Sequence, residues 1–287
     1  MNTITLSQIK LSQSTQNALS GTPKPLFQLY LAAACPFCHR VSLAIALTGL
    51  QAWFDIRYTE DIKPDSGWQI LPENEPLWQA DTVKALYHLA SDGTKQGSSV
   101  PLLIEIGNKR LLSDSSADMV RWISTGFHGA VAVKHDLLAG KTHAELDDIN
   151  QTLHNRLNRA VYRLLSSENQ ADYEQQLNDL FVYLDEWECR LNGQYYALGE
   201  QPSEADVFLL PSLLRFDAIY HRLFYCSKKR IADYPNLERY RRQLLKQPEI
   251  AQTFDLQRSM NHYYLSALHL NGKAVRLNPL GIVPVLG

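Results

Sequence analysis

The sequence predicts an α/β domain with a small mixed sheet, followed by an all-helical domain. Two observations carry this reading. Short runs of strand formers alternate with helix signals up to residue 124, and beyond it strand signals stop while apolar residues recur at helical spacing. A length of 287 residues fits two domains, at roughly 100–200 residues each. The expected limits are a loose arm at 1–25, an α/β domain at 26–126, a linker at 127–145, a helical domain at 146–270 and a tail at 271–287 packed on it.

Taken in order, residues 1–25 are polar and end in Gly21-Thr-Pro-Lys-Pro25, where prolines stop regular structure. Phe27–Leu31 is a strand. Pro36 opens a helix that runs through the apolar Val41–Leu50 segment and stops near Gly49. Trp53–Tyr58 alternates as a second strand, and Thr82–Ala90 is a short helix. Val100–Ile106 and Lys109–Leu112 form a hairpin around Gly107-Asn108. A helix over Ser115–Ser124 completes the domain.

In the second half, Leu177, Leu180, Phe181, Leu184, Trp187 and Leu191 define the buried face of one long helix. Ser203-Glu-Ala-Asp206 reads as a capping box with an Asp at its third helical position. Leu237–Lys246 and Ile250–Leu256 are further helical segments, and a coil tail is expected after Leu270.

Composition narrows the function classes. Lys and Arg number 28 against 30 Asp and Glu, so no global field favours nucleic acid or anionic membrane. Four cysteines are too sparse for a secreted disulfide scaffold. The first 19 residues have no apolar core of the signal-peptide kind, and the expected setting is a reducing cytoplasm. The basic residues at Lys228–Arg230 and Arg239–Arg242 lie among acids and read as a solvated helix face.

The chemistry is expected at Cys35-Pro-Phe-Cys38-His39. Such a string fits covalent haem attachment, a zinc half-site, a packed pair of small residues, or a redox nucleophile. Without an export signal or further clustered cysteines, the nucleophile is the favoured reading, with no metal and no haem. Cys35 directly follows a strand and precedes Pro36, so it caps the first helix, where free N–H groups and the helix dipole lower a thiol pKa. Arg40 is expected to add positive charge, and Cys38 to be a buried thiol able to resolve a mixed disulfide. A cis bond at Val100-Pro101 would present the Val100 backbone to a peptide-like ligand. Ser115 and Ser116 suit either a ligand carboxylate or plain helix capping, and Trp68 either ligand contact or core packing.

Several strings then carry a family resemblance: Arg215-Phe-Asp-Ala-Ile-Tyr220, Arg230-Ile-Ala-Asp-Tyr-Pro-Asn-Leu237, His262-Tyr-Tyr264 and Asn278-Pro-Leu-Gly-Ile-Val-Pro284, with Gly67-Trp68 and Val161-Tyr162. The chain resembles the cysteine-type, omega-like glutathione transferases and is most like the Xi-class glutathionyl-hydroquinone reductases. The resemblance implies a thioredoxin-like domain, an all-α transferase domain and a homodimer. It implies Cys35 as catalytic thiol, glutathione held by Phe37, Trp68, Val100, Pro101, Ser115 and Ser116, and an aromatic acceptor pocket at Tyr162, Tyr220 and Tyr263. Tyr264 is a further candidate for that pocket.

The chain also departs from the class pattern. It has Cys-Pro-Phe-Cys where the class has Cys-Pro-Trp-Ala, and Gly97-Ser-Ser99 where an Arg precedes the Val-Pro pair. Ser115-Ser116 stands where the class has an acid before serine, leaving Asp114 or Asp118 to supply the carboxylate. Val161-Tyr162 continues into Arg-Leu-Leu rather than a small-aromatic string. Three functions stay open: removal of glutathione from hydroquinone-type conjugates, dithiol oxidoreduction by Cys35 with Cys38, or non-catalytic binding.

Overall fold

A computed structural model describes residues 9–266 and the strands Leu268–Leu270 and Lys273–Val275. The α/β domain is built on β1 (Phe27–Leu31), β2 (Phe54–Tyr58), β3 (Leu102–Glu105) and β4 (Arg110–Ser113) in the order β2-β1-β3-β4. β1 runs parallel to β2 and antiparallel to β3, and β3 pairs antiparallel with β4 across a register shift at Leu103/Ile104.

The first described segment corrects the expectation of a loose arm throughout. α1 (Gln13–Ala18) is capped by Ser12, whose backbone N–H and hydroxyl both donate to the Glu105 carboxylate at 2.9 and 2.8 Å. Ile9 and Leu19 bury their side chains beside it.

α2 (Pro36–Thr48) joins β1 to β2, and only Phe37 along it is not buried. Its lack of a polar face follows from its position: it packs against α4 (Ser116–Ser124) of its own domain and against α9 (Glu204–Arg215) of the helical domain. The helix stops at Gly49, whose φ of 75° suits a residue without a Cβ. α3 (Val83–Ala90) is capped by Thr82. α5 (Gly126–Gly129) is a short turn with Phe127 and His128 in the left-handed region.

The helical domain begins at α6 (His143–Leu153), with a Thr142–Glu145 capping box. A π turn at His154–Asn158 leads into α7 (Ala160–Arg163). The long helix is α8 (Gln170–Arg190), and α9 opens on the expected Ser203–Asp206 box. A second π turn, Phe216–Tyr220, joins α9 to α10 (His221–Leu223). α11 (Pro235–Leu245), α12 (Pro248–Ala251) and α13 (Leu256–Leu265) follow. Lys273–Val275 lies where coil was expected and pairs with Leu268–Leu270 as an antiparallel β5–β6 ribbon. The rest of the 271–287 tail, including the Asn278–Pro284 string, lies outside the described residues. No helix among the described residues is long and apolar enough to cross a membrane.

Polar anchors cross between the domains. Arg121 of α4 grips the buried Glu204 carboxylate at 2.7 and 2.9 Å, with Asn150 donating to the same carboxylate. Such a pair is satisfied on both sides and fixes how the two domains meet.

Candidate active site

The β1-to-α2 turn puts Cys35 at the N-cap of α2, with an extended backbone (φ −73°, ψ 119°) and Pro36 in the first turn. The Cys35 sulfur accepts the Cys38 N–H at 3.4 Å, as an N-cap side chain does. The Cys38 thiol also points at it, and this hydrogen bond leads in drawing the Cys35 pKa down to about 7, against the upward pull of burial. Cys38 is 1% exposed, and burial pushes its thiol well above the usual range. Of the pair, Cys35 is the readily ionised sulfur.

The expected cation is joined by a second one. Arg40 is buried with its guanidinium 4.0 Å over the Phe208 ring and donates to Asn158 Oδ1 at 2.5 Å and Ser116 Oγ at 3.4 Å. Burial lowers its pKa to about 9. Arg40 still attracts the Cys35 thiolate, and a second positive charge that lowers the Cys35 pKa comes from Arg215 at the end of α9. Arg215 donates to the Ala34 carbonyl at 2.8 Å and the Ala33 carbonyl at 3.0 Å, so it also holds the turn that carries Cys35. Its third contact is His39 Nδ1 at 3.0 Å. Burial keeps His39 neutral, which lets Nδ1 accept while Nε2–H donates to Thr253 Oγ1 at 2.9 Å.

Beside Cys35 the Val100-Pro101 bond is cis, and the Val100 carbonyl lies 4.0 Å from the Cys35 sulfur. A cleft of about 540 Å³ opens here. Phe37, Ser99, Val100, Pro101, Asp114 and Ser116 form one wall, and His154, Arg159, Tyr162, Arg163 and Ser166 the other. Asp114 is held by Lys95 Nζ at 2.8 Å and by the Tyr87 hydroxyl at 3.1 Å. The Tyr87 hydroxyl also meets Ser99 Oγ at 2.9 Å. The chain must pass close over the Tyr87 ring at Gly97, where a Cβ would collide with it, so the Gly97-Ser-Ser99 stretch has a steric role. Asp114 is thus the acid that lines the cleft, whereas Asp118 is 5% exposed in the first turn of α4.

The two serines divide their work. Ser115 caps α4 by accepting the Asp118 N–H at 3.3 Å, and Ser116 lines the cleft. Trp68 stacks on His262 at 4.9 Å between ring centres and lies outside the cleft lining.

On the helical side the Tyr162 and Tyr263 hydroxyls meet at 2.7 Å. Tyr220 packs 6.0 Å from the Tyr162 ring and 6.3 Å from the Tyr263 ring, and its buried hydroxyl has no well-formed hydrogen bond among the described residues. Burial raises all three phenol pKa values, so each keeps its proton at neutral pH. Tyr264 instead donates to the Ala218 carbonyl at 2.9 Å, a structural bond from α13 to the π turn that follows α9. The two π turns bring this wall together, since Tyr220 ends one and His154 begins the other.

Sequence reasoning missed Arg215 and His39 as a unit, and the roles of Tyr87, Lys95, Arg159 and His154. Arg215 lies inside a recognised string, but only the fold shows that it reaches Ala33 and Ala34.

Comparison with known proteins gives the family. The glutathione S-transferase C-terminal domain family matches residues 170–243. The glutathionyl-hydroquinone reductase PcpF of Sphingobium chlorophenolicum is 34% identical over 265 residues, 90% of this chain and 82% of that protein. The chain belongs to the Xi-class glutathione transferases, the family of the glutathionyl-hydroquinone reductases. The Escherichia coli member YqjG, also named a glutathionyl-hydroquinone reductase, is 28% identical over 91% of this chain and 79% of its own length. Its glutathione-bound structure superposes with a TM-score of 0.77 at 29% identity, covering 84% of this chain and 80% of that one. The Xi-class transferase of Phanerochaete chrysosporium gives 0.80 at 28% identity, covering 92% and 91%. The Xi-class fold thus accommodates a second cysteine at Cys38 and a serine pair at the start of α4.

Proposed function

We propose that the protein removes glutathione from aromatic, hydroquinone-type conjugates through a Cys35–glutathione mixed disulfide. The observation that carries the reading is one ionisable sulfur beside Val100 at the edge of a cleft whose opposite wall holds the protonated Tyr162, with Tyr220 and Tyr263 buried behind it. The Cys35 thiolate attacks the glutathione sulfur of the conjugate, and the sulfur–carbon bond breaks. The aromatic carbon takes the electron pair and a proton, which the Tyr162–Tyr263 pair is placed to supply. The ring is reduced, while the two sulfurs are oxidised to a disulfide. A second glutathione then attacks the mixed disulfide, releasing oxidised glutathione and restoring the Cys35 thiolate.

Support for the glutathione position comes from the Val100 backbone, whose N–H has no partner among the described residues. An extended tripeptide can pair there as an added strand. Its γ-glutamyl ammonium would meet Asp114, and its α-carboxylate Ser116 with the N-terminus of α4. The Tyr220 hydroxyl lies within reach of the Tyr162 and Tyr263 hydroxyls, so it can orient the pair that meets the aromatic ring. Trp68, Phe37 and Pro101 remain part of the proposed glutathione site, and a homodimer working in the cytoplasm completes the reading. The first three and the dimer are supported by the family resemblance, the compartment by a chemistry that needs reduced thiols.

The deciding assay supplies a glutathionyl-hydroquinone and glutathione and follows free hydroquinone. Turnover by the wild type and none by Cys35→Ser is the expected result. Equal turnover by both would refute the reading. Size-exclusion chromatography with light scattering tests the dimer.

A further inference from the structure

Cys38 is a departure from the class pattern, and the deglutathionylation just proposed does not use it. Its backbone N–H donates to the Cys35 sulfur at 3.4 Å, which places the two cysteines together in the first turn of α2. Cys38 is 1% exposed and lies on the inner side, where its own sulfur accepts the Ala32 N–H at 3.4 Å. Cys35 is only partly buried and lies beside Val100, which lines the cleft. A glutathione attached to Cys35 therefore departs outward, and the open flank of the new disulfide faces Cys38.

We infer that Cys38 resolves the Cys35–glutathione disulfide, making the site a dithiol oxidoreductase that also accepts mixed disulfides of glutathione with small thiols. This rests on Cys35 being the glutathionylated thiol. In the step, the Cys38 sulfur attacks the Cys35 sulfur, a Cys35–Cys38 disulfide forms, and the bond to glutathione breaks. Glutathione leaves reduced and takes the proton that Cys38 gives up. Two further glutathiones reduce the internal disulfide and depart as oxidised glutathione.

Chemistry supports the order of events. While Cys35 is an anion, the Cys38 proton is held by it and a second charge beside it is opposed. Once Cys35 is bonded to glutathione that charge is gone, and the opposition it adds to that of burial is lifted from Cys38. Attack within one helical turn also needs no encounter, whereas a second glutathione must diffuse into the cleft.

The test is a single turnover with the reduced, desalted full chain and no added glutathione. Two probes are used in parallel: a glutathionyl-hydroquinone, and the mixed disulfide of glutathione with 2-mercaptoethanol. Intact-mass and peptide mass spectrometry then read the peptide that holds both cysteines. The wild type is expected to lose two hydrogens and release free glutathione, whereas Cys38→Ser and Cys38→Ala keep the glutathione adduct. The adduct in the wild type should be under about one tenth of that in either variant. A wild type that retains the adduct after product release overturns the inference, whatever the variants do. Internal disulfide from the small mixed disulfide, with no hydroquinone from the aromatic probe, would sink the reductase reading and leave this one standing.

Discussion

On the α/β side of the cleft one sulfur is drawn toward its anion by the Cys38 thiol, by the start of α2 and by Arg215. On the helical side burial drives three phenols the other way, and they keep their protons. Both walls are desolvated, yet they end in opposite states. The difference lies in what each wall gives its polar groups to bond with. Cys35 meets donors, while Tyr162 and Tyr263 meet mainly each other. Burial alone never decides a protonation state, because it penalises any charge and leaves the choice to local partners.

The contrast can be broken most completely at Cys35. Cys35→Ser is expected to bring hydroquinone release down to the uncatalysed background, measured by chromatography of the product. Next comes the proton side. Tyr162→Phe combined with Tyr263→Phe should lower kcat on the aromatic conjugate by about 100-fold, as loss of a positioned acid does. Turnover of a small mixed disulfide, whose leaving thiolate needs no carbon protonation, should fall far less. Equal losses on both substrates would show that the phenols only shape the pocket.

Removing charge from the glutathione end should act on binding. Asp114→Ala is expected to raise the KM for glutathione by about 10-fold or more, with a charge-assisted bond contributing roughly 1.5–3 kcal/mol. Ser115→Ala should instead leave KM unchanged and cost about 1 kcal/mol of stability through the lost cap, read by urea denaturation.

The smallest effect concerns pH. With a folded pKa of about 7, the Cys35 thiolate accumulates as pH rises through neutrality. Alkylation of Cys35 by iodoacetamide should therefore reach half its limiting rate near pH 7. Cys38→Ala removes the main donor and should move that midpoint upward; an unchanged midpoint would assign the shift to the helix and Arg215.

Much of this was legible in the residues. Cys35 before Pro36, the Gly49 stop, the hairpin around Gly107 and the Ser203–Asp206 box are local signals, set by dihedral limits and capping. The phenol wall was legible only through resemblance. Its assembly depends on two π turns, which leave no short-range pattern to read. Arg40 was legible because it is near Cys35 in sequence, whereas the second cation, Arg215, comes from another domain and only the fold brings it to the thiol. Ser115 and Ser116 look alike as letters. One rotation along the start of α4 separates a cap from a cleft residue.

The grip of Arg215 on the Ala33 and Ala34 carbonyls also sets a timetable for biosynthesis. Arg215 follows Ala34 by 181 residues, so the turn that holds the thiol waits for most of the chain to be made. At about 5–20 residues per second on the ribosome, the interval is roughly 10–40 s. During it, α2 still lacks the cover of α9 and the Cys35 turn still lacks its clamp. The nascent first domain is then a thiol-bearing intermediate with a bare apolar flank, and chaperone binding or stray oxidation has its opening there.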